Sequence, residues 1–126
     1  MLQTNIPVES VYSTIYLIPM NLPDNIAGLI KAQNDLNSTA FAGFFTAEAL
    51  VSDEGSSYSG RDEIKQWIQQ AAEKYQMQLK PLDFNQNGPV AELTVEVSGT
   101  FPGSPSVLQY HLKLDGPLIR SLRISG

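Results

Sequence analysis

The chain contains no cysteine and a single histidine. The first absence excludes a disulfide framework, a zinc–thiolate centre and a thiol nucleophile. The second excludes a multi-histidine metal site built within one chain. Cations are also few: 8 Lys and Arg stand against 13 Asp and Glu, for a net charge of −5, and the basic residues are scattered. Neither nucleic acid nor an anionic membrane is therefore the expected partner. No glycine-rich phosphate loop is visible, because Gly99 and Gly103 fall among strand and hairpin residues rather than ahead of a helix. No long hydrophobic run is present either. The apolar stretch Val11 to Met20 is interrupted by Pro19, follows Glu9 and no Lys or Arg, and is too short to span a bilayer. A soluble, cytoplasmic protein is expected.

What is present suffices for one domain with one core: 126 residues, 42% of them hydrophobic. Residues 1–22 carry Pro7 and Pro19 with Val11, Tyr12, Thr14, Ile15 and Tyr16 between them, and read as an extended N-terminal arm packed on a sheet edge or a partner chain. The domain proper spans 23–126. Asp24 is placed to cap a first helix whose Ile26, Leu29 and Ile30 share a side. Asp35-Leu36-Asn37 breaks it, and Asn37 or Ser38 caps a short second helix carrying Phe41, Phe44 and Phe45. A third helix is expected over residues 61–75, with Ser59 and Asp62 at capping-box spacing and Ile64, Trp67, Ile68, Ala71 and Tyr75 on its apolar face.

The remainder reads as strands. Met77 to Phe84 is followed by Asn87-Gly88, a strong hairpin signal. In Val90 to Phe101, Leu93, Val95 and Val97 alternate with Thr94, Glu96 and Ser98. In Val107 to Leu114, Leu108, Tyr110, Leu112 and Leu114 alternate with Gln109, His111 and Lys113. Asp115-Gly116 turns the chain into a last strand, Leu118 to Ile124. The order is α+β: three helices in the N-terminal half, packed in the concave face of a strongly curved, mostly antiparallel sheet. A cone of this kind is a natural place for a small apolar or semi-polar molecule.

The stretch Ala49-Leu50-Val51-Ser52-Asp53-Glu54-Gly55 holds the candidate residues for chemistry. Two carboxylates follow β-favouring residues at a point where a strand ends. A carboxylate that enters a core there is desolvated, which raises its pKa and suits it to proton transfer. Asp53 is the candidate, while Glu54 is expected in solvent and Arg61 at a helix start. Tyr110 offers a phenol on the face it shares with Leu108 and Leu112, and needs a partner, which Asp53 or a ligand would supply. His111 lies on the opposite face. Arg120 shares parity with Leu122 unless a bulge near Gly116-Pro117 reverses it.

Three segments carry a family resemblance: Phe44-Phe45-Thr46-Ala47-Glu48-Ala49-Leu50-Val51-Ser52-Asp53, then Tyr58-Ser59-Gly60-Arg61-Asp62-Glu63-Ile64, then Trp67. With Ser98 to Pro105 and Leu114 to Ile119, they resemble the nuclear transport factor 2-like superfamily, and within it the SnoaL-like, polyketide cyclase-like proteins, distant relatives of ketosteroid isomerases. The resemblance covers about residues 24–125. It implies a cystatin-like cone, and it places Asp53 where the isomerases carry their base. The isomerases add a first-helix tyrosine and a protonated late-strand aspartate, where this chain has Leu29 and Tyr110. Because the fold hosts enzymes and binders alike, three functions follow as expectations. The first is a small-molecule-binding domain with an apolar pocket lined by Phe41, Phe45, Tyr58, Trp67, Leu93, Leu108, Leu112 and Leu122. The second is an isomerase or cyclase that needs no cofactor and no metal, with Asp53 and Tyr110 catalytic. The third is a structural or interaction dimer with a filled core. A homodimer through the outer sheet face, which carries Thr94, Glu96, Gln109 and His111, is expected in each case.

Overall fold

The computed structural model describes residues 21–126. All of the expected arm except its last two residues lies outside that range. Helix α1 (Asp24–Asn34) opens on Pro23, which occupies the cap position, so Asp24 is the first helical residue rather than the cap. Its stripe Ile26, Leu29, Ile30 and Gln33 is buried. The helix ends in a Schellman turn. The Asn37 amide donates to Ala32 O at 2.9 Å, the Leu36 amide donates to Gln33 O at 3.1 Å, and Leu36 takes φ 56°. Asn37 then caps α2 (Ser38–Gly43) by accepting from the Ala40 amide at 3.0 Å.

Strand β1 (Phe45–Asp53) turns through Glu54 and Gly55, both at positive φ, into β2 (Ser56–Ser59). The sequence pattern places only a turn where β2 forms. Helix α3 (Gly60–Tyr75) follows, and the expected pairing of Ser59 with Asp62 is replaced there. The Ser59 side chain makes no cap, and Glu63 Oε1 accepts from the Ser59 amide at 2.8 Å. The longer Glu side chain reaches back where Asp62 does not.

Strands β3 (Gln78–Asn87), β4 (Val90–Ser98), β5 (Ser106–Asp115) and β6 (Leu118–Ser125) form the antiparallel meander. β4 stops three residues short of Phe101. β1 joins β6 in parallel, which gives one six-stranded sheet in the order β2-β1-β6-β5-β4-β3. A β-bulge near the β5–β6 turn, where Lys113 pairs with Ser121 but Leu114 with Ile119, puts Arg120 out of step with Leu122. Ile119 and Leu122 are buried and Arg120 is exposed.

One face of the sheet is apolar and takes all three helices. Ala91, Leu93, Val95 and Val97 of β4, with Tyr110, Leu112 and Leu114 of β5, are buried there as alternation requires. They pack with Ile26, Leu29, Phe41, Phe45, Ile64 and Ile68 in one core. Asn34 ties α1 to β3. Its amide donates to Leu79 O at 3.0 Å and its Oδ1 accepts from the Leu79 amide at 2.6 Å. No helix among the described residues is long and apolar enough to cross a membrane.

Candidate functional site

The inner face carries one row of side chains that runs across five strands. Phe84 pairs with Leu93, Leu93 with Tyr110, and Tyr110 with Ile124. β1 continues the row, because Val51 pairs with Leu122 and Ser52 with Arg123 in parallel register, which sets Asp53 beside Ile124. Asp53 shares its face with the buried Val51. Asp53 and Tyr110 therefore stand in one row with Ile124 between them, their Cα atoms two strands and roughly 10 Å apart.

Their side chains serve different neighbours. The Tyr110 hydroxyl, fully buried, donates to Gln33 Oε1 of α1 at 3.1 Å. Its partner is thus neither Asp53 nor a ligand, as expected from sequence, but a glutamine on the first helix. Burial pushes the Tyr110 phenol well above its ordinary range; the Gln33 contact pulls it down, and the Asp53 charge raises it further. The phenol stays protonated at any physiological pH.

Asp53 is half-buried at the end of β1. Burial raises its pKa above the ordinary 3.8, and the adjacent Glu54 charge raises it further. The approach of the Trp67 indole N–H opposes both, because it favours the carboxylate. Trp67 in turn stacks on Tyr58 (ring centroids 5.5 Å apart, planes 25° apart) and leans on Phe41 at 6.1 Å. Phe41 lies 5.3 Å from Phe45. The carboxyl thus sits beside Trp67 in an aromatic column that runs Tyr58, Trp67, Phe41, Phe45 into the core.

The other residues expected to line a pocket divide by depth. Phe41, Phe45, Leu93, Leu112 and Leu122 are buried core side chains, whereas Tyr58, Trp67 and Leu108 are partly exposed. A recess among the described residues lies elsewhere, between the three helices, and of the expected residues it touches Phe41 alone. Arg61 does more than start a helix. Its Nε donates to Phe45 O at 2.8 Å, where the β1–β6 register shifts. His111 faces outward, with Nε2 2.8 Å from Ser125 Oγ and Nδ1 3.4 Å from Glu92. No three His, Asp or Glu side chains among the described residues are arranged to hold a metal ion.

Gln33 is not among the residues expected from sequence. Its signal is positional: it continues the buried stripe Ile26, Leu29, Ile30 at helical spacing, so a polar amide falls on a core face. A buried amide needs a partner, and the Tyr110 phenol on the facing side of the sheet supplies it.

No family model matches the chain, and no curated protein does. Solved structures do. A polyketide cyclase-like protein from Sinorhizobium meliloti is 31% identical over 84% of this chain and 97% of its own, with a TM-score of 0.80. A protein with a ketosteroid isomerase-like fold from Catenulispora acidiphila, solved with trimethylamine, is 18% identical over 84% of this chain and 87% of its own, at a TM-score of 0.77. A cystatin-fold protein from Novosphingobium aromaticivorans is 16% identical over 82% of this chain and 96% of its own, at 0.70. The last two share the fold. The first, by identity and coverage, shows the family: this chain belongs to the SnoaL-like, polyketide cyclase-like proteins of the nuclear transport factor 2-like superfamily. Its architecture is the α+β, cystatin-like cone of that superfamily.

Proposed function

We propose that the domain binds a small, semi-polar molecule at the Asp53 end of its concave face, with the Asp53 carboxyl as polar contact and Tyr58 and Trp67 as aromatic walls. The observation that carries this reading is the half-buried Asp53 carboxyl, which burial drives toward its protonated form beside a stacked aromatic pair. A carboxyl in such surroundings exchanges hydrogen bonds with a hydroxyl or carbonyl at lower desolvation cost than an ionised one. Binding stands ahead of catalysis for a specific reason. Enolisation beside a carbonyl needs a base and an oxyanion donor, and the expected donor, Tyr110, already gives its proton to Gln33.

The second reading is an isomerase- or cyclase-type enzyme with Asp53 as acid and base. Its support is the raised pKa of Asp53, together with the membership of a polyketide cyclase-like family.

One pair of measurements tests both. 2-Naphthol, an aromatic molecule with one hydroxyl, is expected to bind saturably by fluorescence, and Asp53→Asn is expected to change its affinity by about tenfold, the effect of one hydrogen bond to a chargeable group. Equal affinity for both proteins would exclude Asp53 as the contact. For the second reading, proton–deuterium exchange at the α-carbon of 2-tetralone in D₂O is the readout. An acceleration over buffer of about a hundredfold or more, lost in Asp53→Asn, is what a general base gives. No acceleration by the native protein would dismiss the enzyme.

A further inference from the structure

We propose a reactive serine on the outer face of the sheet: Ser125, activated by His111 and Glu92, takes an acyl group from a small activated ester. The three side chains come from three adjacent strands. Glu92 of β4 pairs directly with His111 of β5, and Ser125 of β6 pairs with Gln109, two residues before His111 on the same face. Ser125 Oγ lies 2.8 Å from His111 Nε2, and His111 Nδ1 lies 3.4 Å from Glu92 Oε2. A nucleophile, a base and a carboxylate behind the base thus follow one another in the order that activates a hydroxyl. The second contact is long, as such contacts are before a substrate tightens them.

Chemistry fixes the direction of the relay. A carboxylate only accepts hydrogen bonds, so the ring nitrogen that faces Glu92 is the protonated one in the neutral imidazole. Nε2 is then the bare nitrogen, and the Ser125 hydroxyl donates to it. The His111 side chain is 24% exposed and that of Glu92 55%, which leaves the cluster open to a small reagent. Arg123 supplies the remaining charge. It pairs with His111 across the strands and precedes Ser125 by two residues on the same face. A guanidinium there is within side-chain reach of an oxyanion formed at Ser125.

In the reaction, Ser125 Oγ bonds to the ester carbonyl carbon while its proton passes to His111 Nε2. The carbonyl oxygen takes up the electron pair and becomes the anion that Arg123 stabilises. That pair then re-forms the carbonyl, the bond to the leaving oxygen breaks, and the alcohol departs with the proton from His111. Water, activated by the same Nε2, attacks the acyl-serine in turn and releases the carboxylic acid and the free hydroxyl. The ester and water are the only reactants. Asp53 takes no part, because it shares the opposite face of the sheet with Val51.

The test treats the full chain with 4-nitrophenyl acetate and locates the acetyl group by tandem mass spectrometry. Ser125 is expected to be acetylated. Ser121 is the internal control: it lies on the same strand and face but pairs with Lys113 instead of a histidine, and it should stay free. His111→Gln is expected to slow the labelling of Ser125 about a hundredfold, the lower end of what a general base supplies. Glu92→Gln should slow it too. A glutamine amide can donate to Nδ1, so the ¹⁵N spectrum of the His111 ring should move toward the Nε2–H form, which cannot accept from Ser125. No acetyl group on Ser125, equal labelling of Ser121 and Ser125, or an acetyl group on His111 in place of Ser125 would each overturn the proposal. So would a rate that His111→Gln or Glu92→Gln leaves unchanged.

Discussion

Phe45→Ala is expected to destabilise the protein by about 3–5 kcal/mol, the range for an aromatic side chain deleted from a well-packed interior. Phe45 is fully buried. It starts β1 at the register shift against β6 and packs on Phe41, while its own carbonyl is held by Arg61. Its loss removes ring contacts from the base of the aromatic column and leaves a void between α2, β1 and α3 that rigid strands cannot close. Chemical denaturation of both proteins measures the loss directly, with melting expected about 10–20 °C lower for a chain of this size. Phe45→Leu should recover more than half of it. A loss below about 1 kcal/mol would mean that the column is not the packed core described above.

Tyr110→Phe is the second large effect. The substitution keeps the ring and removes the hydroxyl, so Gln33 Oε1 loses its buried donor. An unsatisfied buried acceptor costs about 1–3 kcal/mol, more than the bond itself contributes. Gln33→Met should cost a similar amount, because it strands the Tyr110 hydroxyl. The double variant, with neither polar group left, should cost less than the sum of the two, and the non-additivity in a double-mutant cycle is the signature of the bond. Strict additivity would show that the two groups do not meet in solution.

These two sites differ in how readable they are from sequence. The sheet core is local information: Leu93, Val95 and Val97 alternate with polar residues, and burial follows the alternation. Asn37 and the Asp115-Gly116 turn are likewise set by neighbours in the chain. Strand β2 is not, because Ser56-Ser57-Tyr58-Ser59 has no apolar alternation and lies at the sheet edge, where pairing with β1 alone defines it. The parallel pairing of β1 with β6 joins segments about 70 residues apart, and no short pattern announces such a contact. The Tyr110–Gln33 bond spans 77 positions for the same reason. Asp53 was legible as a carboxylate at a strand end on a mostly buried face. Its aromatic neighbours were legible as apolar residues, but their order as a column depends on how α3 crosses β1. The side chain that holds Tyr110 required α1 to lie over β5, which sequence spacing does not encode.

The Asp53 carboxyl is the centre of the functional account, and its titration is the most direct measurement of it. Because burial raises its folded-state pKa above the ordinary 3.8, the folded protein keeps a proton that the unfolded chain has released. Asp53 therefore favours folding most in acid, below 3.8, and that contribution is lost as the pH rises through the folded-state value. Asp53→Asn, which is neutral throughout, should accordingly be at least as stable as the native protein at pH 7, with the difference shrinking in acid. The ¹³C NMR titration of the Asp53 side-chain carboxyl reads the pKa itself. A midpoint above 3.8 is the result predicted, and a midpoint at or below 3.8 would contradict the account, because it would mean an ordinary, solvated strand-end carboxylate.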